Sequence, residues 1–279
     1  MARRWGTIAA GIIGGLLLFV IFVVIFTPAA AVQGVVERAL GSAGYTFRAS
    51  QFGKALPLGI KAGNVEIADG RGALFKADDA AVRLRLLPLL TGRISFAFRA
   101  DIRDGEVTGD FSPSRGGNME FRISKVRLED IPFFTNVADV RAKGELRAEG
   151  EFRGNGSNAA GKARLEIKSL ELAGVKIGGM PLPDASYDAV RGALKVAGGR
   201  AVLESATLQG EGIYVRLSGD FPVTNPLGAA PLNLTLELMP KPDFLERQKL
   251  VFLLLARYLV SPGNYRIPIH GTLGRPAIQ

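Results

Sequence analysis

From Tyr45 onward, apolar side chains recur at every second position in short runs, with Gly, Asn or Asp between the runs. That period puts successive side chains on opposite faces of a β-strand, so the chain reads as mainly β. The clearest run sets Ile94, Phe96, Phe98, Ala100 and Ile102 on one face against Arg93, Ser95, Arg99, Asp101 and Arg103 on the other. Val82, Leu84 and Leu86 oppose Arg83 and Arg85, and Leu146, Ala148 and Phe152 oppose Glu145, Arg147, Glu149, Glu151 and Arg153. Ile213, Val215 and Leu217 repeat the pattern, and Leu232, Leu234, Leu236 and Leu238 make a further apolar row. Each sheet face is therefore segregated, and the apolar face needs a second layer.

Helices are too few to supply that layer. Only the segment from about residue 242 to 260 reads as a second convincing helix, with Pro242 in its first turn and Asp243 placed for its dipole. We expect it to cap the end of the sheet. Two strands change parity midway, Phe121 and Ile123 giving way to Val126 and Leu128, and Leu165 and Ile167 giving way to Leu170 and Leu172. A one-residue shift of this kind predicts β-bulges near Ser124 and Ser169, which would bend the sheet. A wholly wet apolar face would forgo tens of kcal/mol of burial, at about 1.5–3 kcal/mol per large side chain, against a net stability of about 5–15 kcal/mol. Two solutions follow. The sheet is a curved, mostly antiparallel groove or gutter, shielded by narrowing, a helix or an apolar guest, or it closes into a sandwich. The first solution makes Val82, Leu84, Leu86, Phe96, Phe98, Ile102, Leu232, Leu234, Leu236 and Leu238 candidate groove-lining residues. The second packs them against one another, which is our expectation for most of them.

Ahead of the strands, residues 5–27 carry no charge. As a helix they extend roughly 34 Å, enough to cross a hydrocarbon core of about 30 Å. Trp5, Ile12, Leu16, Phe19 and Phe26 are its candidate membrane-anchoring residues. A cleavable signal peptide is the rival reading, since Arg3 and Arg4 form a basic n-region and Ala29, Ala30 and Ala31 a small-residue site. The run is longer than such a peptide requires, so we expect a retained signal anchor. Arg3 and Arg4 against a single following Arg38 place the N-terminus in the cytoplasm. The expected organisation is a cytoplasmic tail (1–4), a transmembrane anchor (5–27), an exit helix (28–44) and one β domain (45–279) beyond the membrane. Val32, Val35, Val36, Ala39 and Leu40 mark the exit helix at helical spacing.

Lys and Arg outnumber Asp and Glu by 35 to 26, which favours anionic neighbours such as phospholipid headgroups. Arg93, Phe96, Phe98 and Arg99 imitate a nucleic-acid platform but alternate as an ordinary strand, so no nucleic-acid partner is expected. With no cysteine and one histidine, neither a thiolate nor an imidazole metal cluster can be built. Gly156 to Gly161 followed by Lys162 has phosphate-loop spacing, yet Ala163 stands where the magnesium-binding Ser or Thr belongs and a strand follows. His270 would have to serve any histidine-dependent hydrolase, and the carboxylate pairs Asp78/Asp79 and Asp101/Asp104 fall at strand ends or turns. We expect no enzyme and no cofactor.

The run Leu232-Asn233-Leu234-Thr235-Leu236-Glu237-Leu238, Pro240, Pro242, the capping helix, Gly263 through Leu273 and Pro276 together resemble the C-terminus of the type II secretion system protein N family in its delta-proteobacterial form. That family is itself similar to the AsmA-like group, which the anchor, exit helix, Gly44-Tyr45 and the Leu86 to Gly92 link also resemble in placement. The resemblance implies an inner-membrane-anchored, periplasmic accessory or scaffold component of a type II protein secretion machine, partnered by other secretion components. The AsmA-like side implies a second possibility, a lipid-binding or lipid-transfer tether with an apolar β groove.

Overall fold

A computed structural model describes residues 29–42, 44–55, 58–113, 117–154, 158–177, 180–181, 184–224, 227–273 and 275–278. The anchor at residues 5–27, with Trp5, Ile12, Leu16, Phe19 and Phe26, lies outside them. Among the described residues no helix is long and apolar enough to cross a membrane. Helix α1 (Ala29–Ser42) leads into β1 (Thr46–Ala55), β2 (Gly59–Asp69) and β3 (Gly72–Leu84). A short α2 (Leu86–Leu89) is followed by β4 (Phe96–Ile102), β5 (Gly105–Ser112), β6 (Asn118–Arg127), α3 (Pro132–Asn136), β7 (Arg141–Arg153) and β8 (Ala160–Ala173). After a two-stranded side hairpin, β9 (Lys176–Ile177) with β10 (Met180–Pro181), come β11 (Ala185–Ala197), β12 (Arg200–Gly210), β13 (Ile213–Pro222) and β14 (Asn233–Pro240). Helices α4 (Pro242–Arg247) and α5 (Lys249–Leu254) precede β15 (Leu259–Ser261), β16 (Asn264–Thr272) and β17 (Arg275–Ile278).

Apart from the side hairpin, all strands join one open 15-stranded sheet, in which β1 to β8, β11 to β14 and β16 follow one another in chain order and β15 and β17 share the last edge. Every pairing is antiparallel, as hairpin connections require. Its first and last strands do not pair with each other, so the sheet is neither a barrel nor a two-sheet sandwich.

The parity changes are bulges. Pairing of β6 with β7 slips between Ile123 and Val126, with Lys125 left-handed at φ 54°, and Ser169 on β8 is left-handed at φ 51°. Beside Ser169, the β7 pairing slips at Gly144 (φ 142°), where a Cβ would lie 3.0 Å from the Lys168 carbonyl oxygen. Beyond these points Val126 and Leu170 stay on the apolar side, and both are buried.

Among the described residues two connections lay helices over the apolar face as lids, and both leave the same ends of the strands. The β6–β7 connection reaches back to β3, where Asn136 Nδ2 donates to the Ala73 carbonyl at 3.1 Å. The β14–β16 connection lays Phe244, Phe252 and Leu255 on the apolar face. Beneath them one buried cluster centres on Val190, Val215, Leu238 and Ile267, and a second on Ala62, Val65, Ile102 and Val126. Ile131, from the first lid, packs against both.

Three expectations need correction. The capping helix is two short helices, broken at Gln248 (φ −110°, ψ 27°). In a straight helix, positions eight apart point about 80° away from each other. The break lets Phe244 and Phe252 meet edge-on at 6.1 Å. Leu86 opens α2 instead of extending β3, because Pro88 has no N–H for a ladder. The capping segment does not stay helical to residue 260, since Leu259–Ser261 is β15; Leu232, just ahead of β14, donates its N–H to the Gly271 carbonyl at 2.9 Å in the register of that strand and heads its leucine row.

Candidate functional site, an apolar track across the sheet

In an antiparallel sheet, residues directly opposite share a face, so the register defines continuous rows of side chains. One row runs Ile60, Val82, Phe98, Gly109, Phe121, Gly150, Ala163, Leu194, Leu203, Gly219, Leu234 and Ile269, one residue from each successive strand. Two residues along each strand, and three along β12 across its bulge, a second runs Ala62, Ala80, Ala100, Val107, Ile123, Ala148, Leu165, Gly192, Ala206, Leu217, Leu236 and Ile267. Neither row contains a charged or hydrogen-bonding side chain. Eleven strand spacings of about 4.8 Å make each roughly 50 Å long.

On the far side of the first row from the lids lies a third, with Leu84, Phe96, Phe111, Met119 and Phe152 in register. The lids do not reach it. Phe111 remains 42% exposed, Met119 40%, Leu165 of the second row 39% and Val82 of the first 37%, whereas Val126 and Ile267 near the lids are 1% exposed. The Phe121 and Phe152 rings lie nearly parallel, 13° apart, with centroids at 6.2 Å. An open cleft of about 540 Å³ lies over the middle strands, lined by Ile123, Ala148, Leu165 and Gly192 and by their sequence neighbours, among them Arg122, Arg164 and Arg191.

Glycine sets the height of the track. A Cβ on Gly150 would lie 2.6 Å from the Phe121 ring, and one on Gly161 2.6 Å from the Phe152 ring. At Gly109 a Cβ would collide with Phe98. Each large side chain therefore lies down over a neighbouring glycine instead of standing up from the sheet. The triplets Gly109-Asp110-Phe111, Gly150-Glu151-Phe152 and Gly219-Asp220-Phe221 carry this arrangement along the strand. Their glycines belong to the first row and Phe111 and Phe152 to the third. Their acids face the other side, where Asp110 pairs with Arg85 at 2.7 Å and Glu151 with Lys162 at 3.2 Å. That face is laced with further exposed pairs such as Arg147–Glu145 and Arg266–Glu237, individually weak and well solvated.

Of the ten residues expected to line a groove, Val82, Phe98 and Leu234 stand in the first row, Leu236 in the second, and Leu84 with Phe96 in the third. Ile102 and Leu238 are sealed in the two cores, Leu232 is buried outside the rows and Leu86 lies in α2. Residues that single-strand patterning did not bring into the track are Phe111, Met119, Phe121, Phe152 and Leu165. The Gly-acid-Phe triplets are the sequence signal for Phe111 and Phe152 among them.

Chemistry-bearing groups sit elsewhere. Asp78 accepts the backbone N–H of Arg103 at 2.9 Å, Asp101 pairs with Arg99 and Asp104 with Arg127. Lys162 is spent on Glu151 within a strand, and His270 lies on β16 opposite Ala277. Among the described residues no group of three or more His, Asp or Glu is placed to hold a metal ion. No family model, no curated protein and no solved structure matches the chain.

Proposed function

We propose that the chain is a membrane-anchored lipid-handling protein whose apolar rows bind acyl chains and let them travel along the sheet. The observation that carries this reading is the pair of unbroken apolar rows, left half-open between a charged face and two lids that cover only one side of the strands. A site for one acyl chain needs about half of the ~30 Å hydrocarbon thickness of a bilayer. The first row, roughly 50 Å long, exceeds that several-fold, which suits a conduit better than a single pocket, while the second is sealed at its ends by the cores at Ala62 and Ile267. Flat rings over glycines keep the track low enough to admit a guest, and the guest supplies the missing second layer. Binding and transfer need no catalytic group, and none is invoked.

In this reading residues 5–27 hold the chain in a bacterial inner membrane, the N-terminus is cytoplasmic and the sheet stands in the periplasm. A charge placed mid-track tests it. Leu165→Glu in the full chain is expected to fold, to retain anchoring and to abolish lipid transfer between donor and acceptor vesicles. Unaltered transfer by that variant would count decisively against the conduit.

The accessory role in type II secretion that the C-terminal resemblance implies is the second reading, and it uses the same anchor and sheet. A deletion strain assayed for both exoprotein secretion and outer-membrane lipid balance separates the two. Disturbed lipids with normal secretion favour the conduit, and the reverse outcome favours the secretion role.

A further inference from the structure

Helix α5 is apolar on both sides. Val251, Phe252 and Leu255 are turned into the core, where Phe252 packs on Tyr265 with ring centroids 5.1 Å apart. The other side presents Leu250, Leu253 and Leu254 at 78%, 67% and 64% exposure, and Val260 on the adjacent β15 adds to them at 61%. These four are far more open than any residue of the track, and the fold gives them no partner layer. In the sequence from 241 to 257 they are flanked by Lys241, Arg247, Lys249 and Arg257 against Asp243 and Glu246. Arg257 is held beside the patch, its guanidinium 4.6 Å from the Tyr258 ring centroid and bonded to the Tyr258 hydroxyl.

We infer that this patch docks the last-formed end of the sheet onto the surface of an anionic lipid bilayer. Exposed leucines on a segment rich in cations match such a surface, where apolar side chains enter the acyl boundary and Lys and Arg meet the headgroups. A protein groove lined with apolar groups would accept the leucines but gives no reason for the basic flanks. Helix α1 joins the sheet at β1, twelve strand spacings from β16, or roughly 58 Å along the sheet. That separation leaves room for the docked bilayer to be other than the one reached by the residues before α1. The inference goes beyond the conduit reading and stands without it.

The test uses the full chain reconstituted into neutral phosphatidylcholine vesicles, challenged with labelled protein-free vesicles rich in phosphatidylglycerol or made of phosphatidylcholine alone. We expect capture of the anionic vesicles only. Leu250→Ser/Leu253→Ser/Leu254→Ser should lower that capture about tenfold or more without shifting thermal unfolding, since these side chains lie outside the core. Arg247→Glu/Lys249→Glu should lower it while leaving the leucines in place. Capture that ignores lipid charge, or that persists in the leucine variant, would overturn the inference. So would self-association of the wild-type chain that the leucine variant abolishes, because the occupant would then be a second copy. Lipid bound in the track, measured on the same proteins by native mass spectrometry, is expected to be equal in wild type and variants. Its absence from all of them would defeat the conduit reading and leave docking intact.

Discussion

Val126 and Ile267 lie where the lids reach, Met119 and Leu165 where they stop, and all four stand on the same apolar face. The side chains do not differ in polarity, so what separates them is coverage. Among the described residues the β6–β7 and β14–β16 connections lay helices over the apolar face, and both spring from the same strand ends. The sealed stretches account for the stability of the sheet; the open stretches have no second layer of their own, and a fold that needed only stability would gain nothing from Phe111 or Met119 there. The contrast teaches that the open region is a place for something else to complete.

That contrast can be broken from either side. The largest effect belongs to the sealed region, where Ile267→Ala should cost about 2–5 kcal/mol, read from the shift of the urea midpoint. Gly150→Leu comes next, because its side chain must displace the Phe121 ring, at about 1–3 kcal/mol of strain. It should also raise the floor of the track and lower lipid loading seen by native mass spectrometry. Met119→Ser combined with Leu165→Ser should cost only about 1 kcal/mol per site yet reduce lipid loading more than Ile267→Ala does. If the three changes affected stability alike, the two regions would not differ as described.

The smallest effect sharpens the sealed side through pH. Burial in the lid-covered core pushes the Tyr187 phenol above its ordinary value of 10.0. The neutral form is favoured on folding, so the resulting stability is fully present below the unfolded value and fades as pH rises through the higher folded one. Tyr187→Phe should flatten the alkaline decline in stability, and an ultraviolet titration of the wild type should show one tyrosine ionising late.

Much of this was legible in the chain. Alternation at Ile213, Val215 and Leu217 marked a strand, and the parity changes at Ser124 and Ser169 marked bulges, because side-chain period and face are local properties. The rows were not legible, since they depend on which residue of the next strand stands opposite. That is why Phe121 and Gly150, 29 positions apart, could not be paired by inspection while Val82 and Phe98 could at least be placed on apolar faces. The split at Gln248 was hidden for a similar reason. It follows from Phe244 and Phe252 meeting over Tyr265, a tertiary demand that overrides a continuous helical pattern.

The claim that the open rows hold lipid is tested most directly by placing a photoreactive residue, in the full chain in its native membrane, at Met119 or Leu165, and as controls at Arg266 on the charged face and at Val126 in the core. Irradiation should attach lipid at Met119 and Leu165 and at neither control. Lipid attached equally at Arg266, or at none of the four, would contradict it.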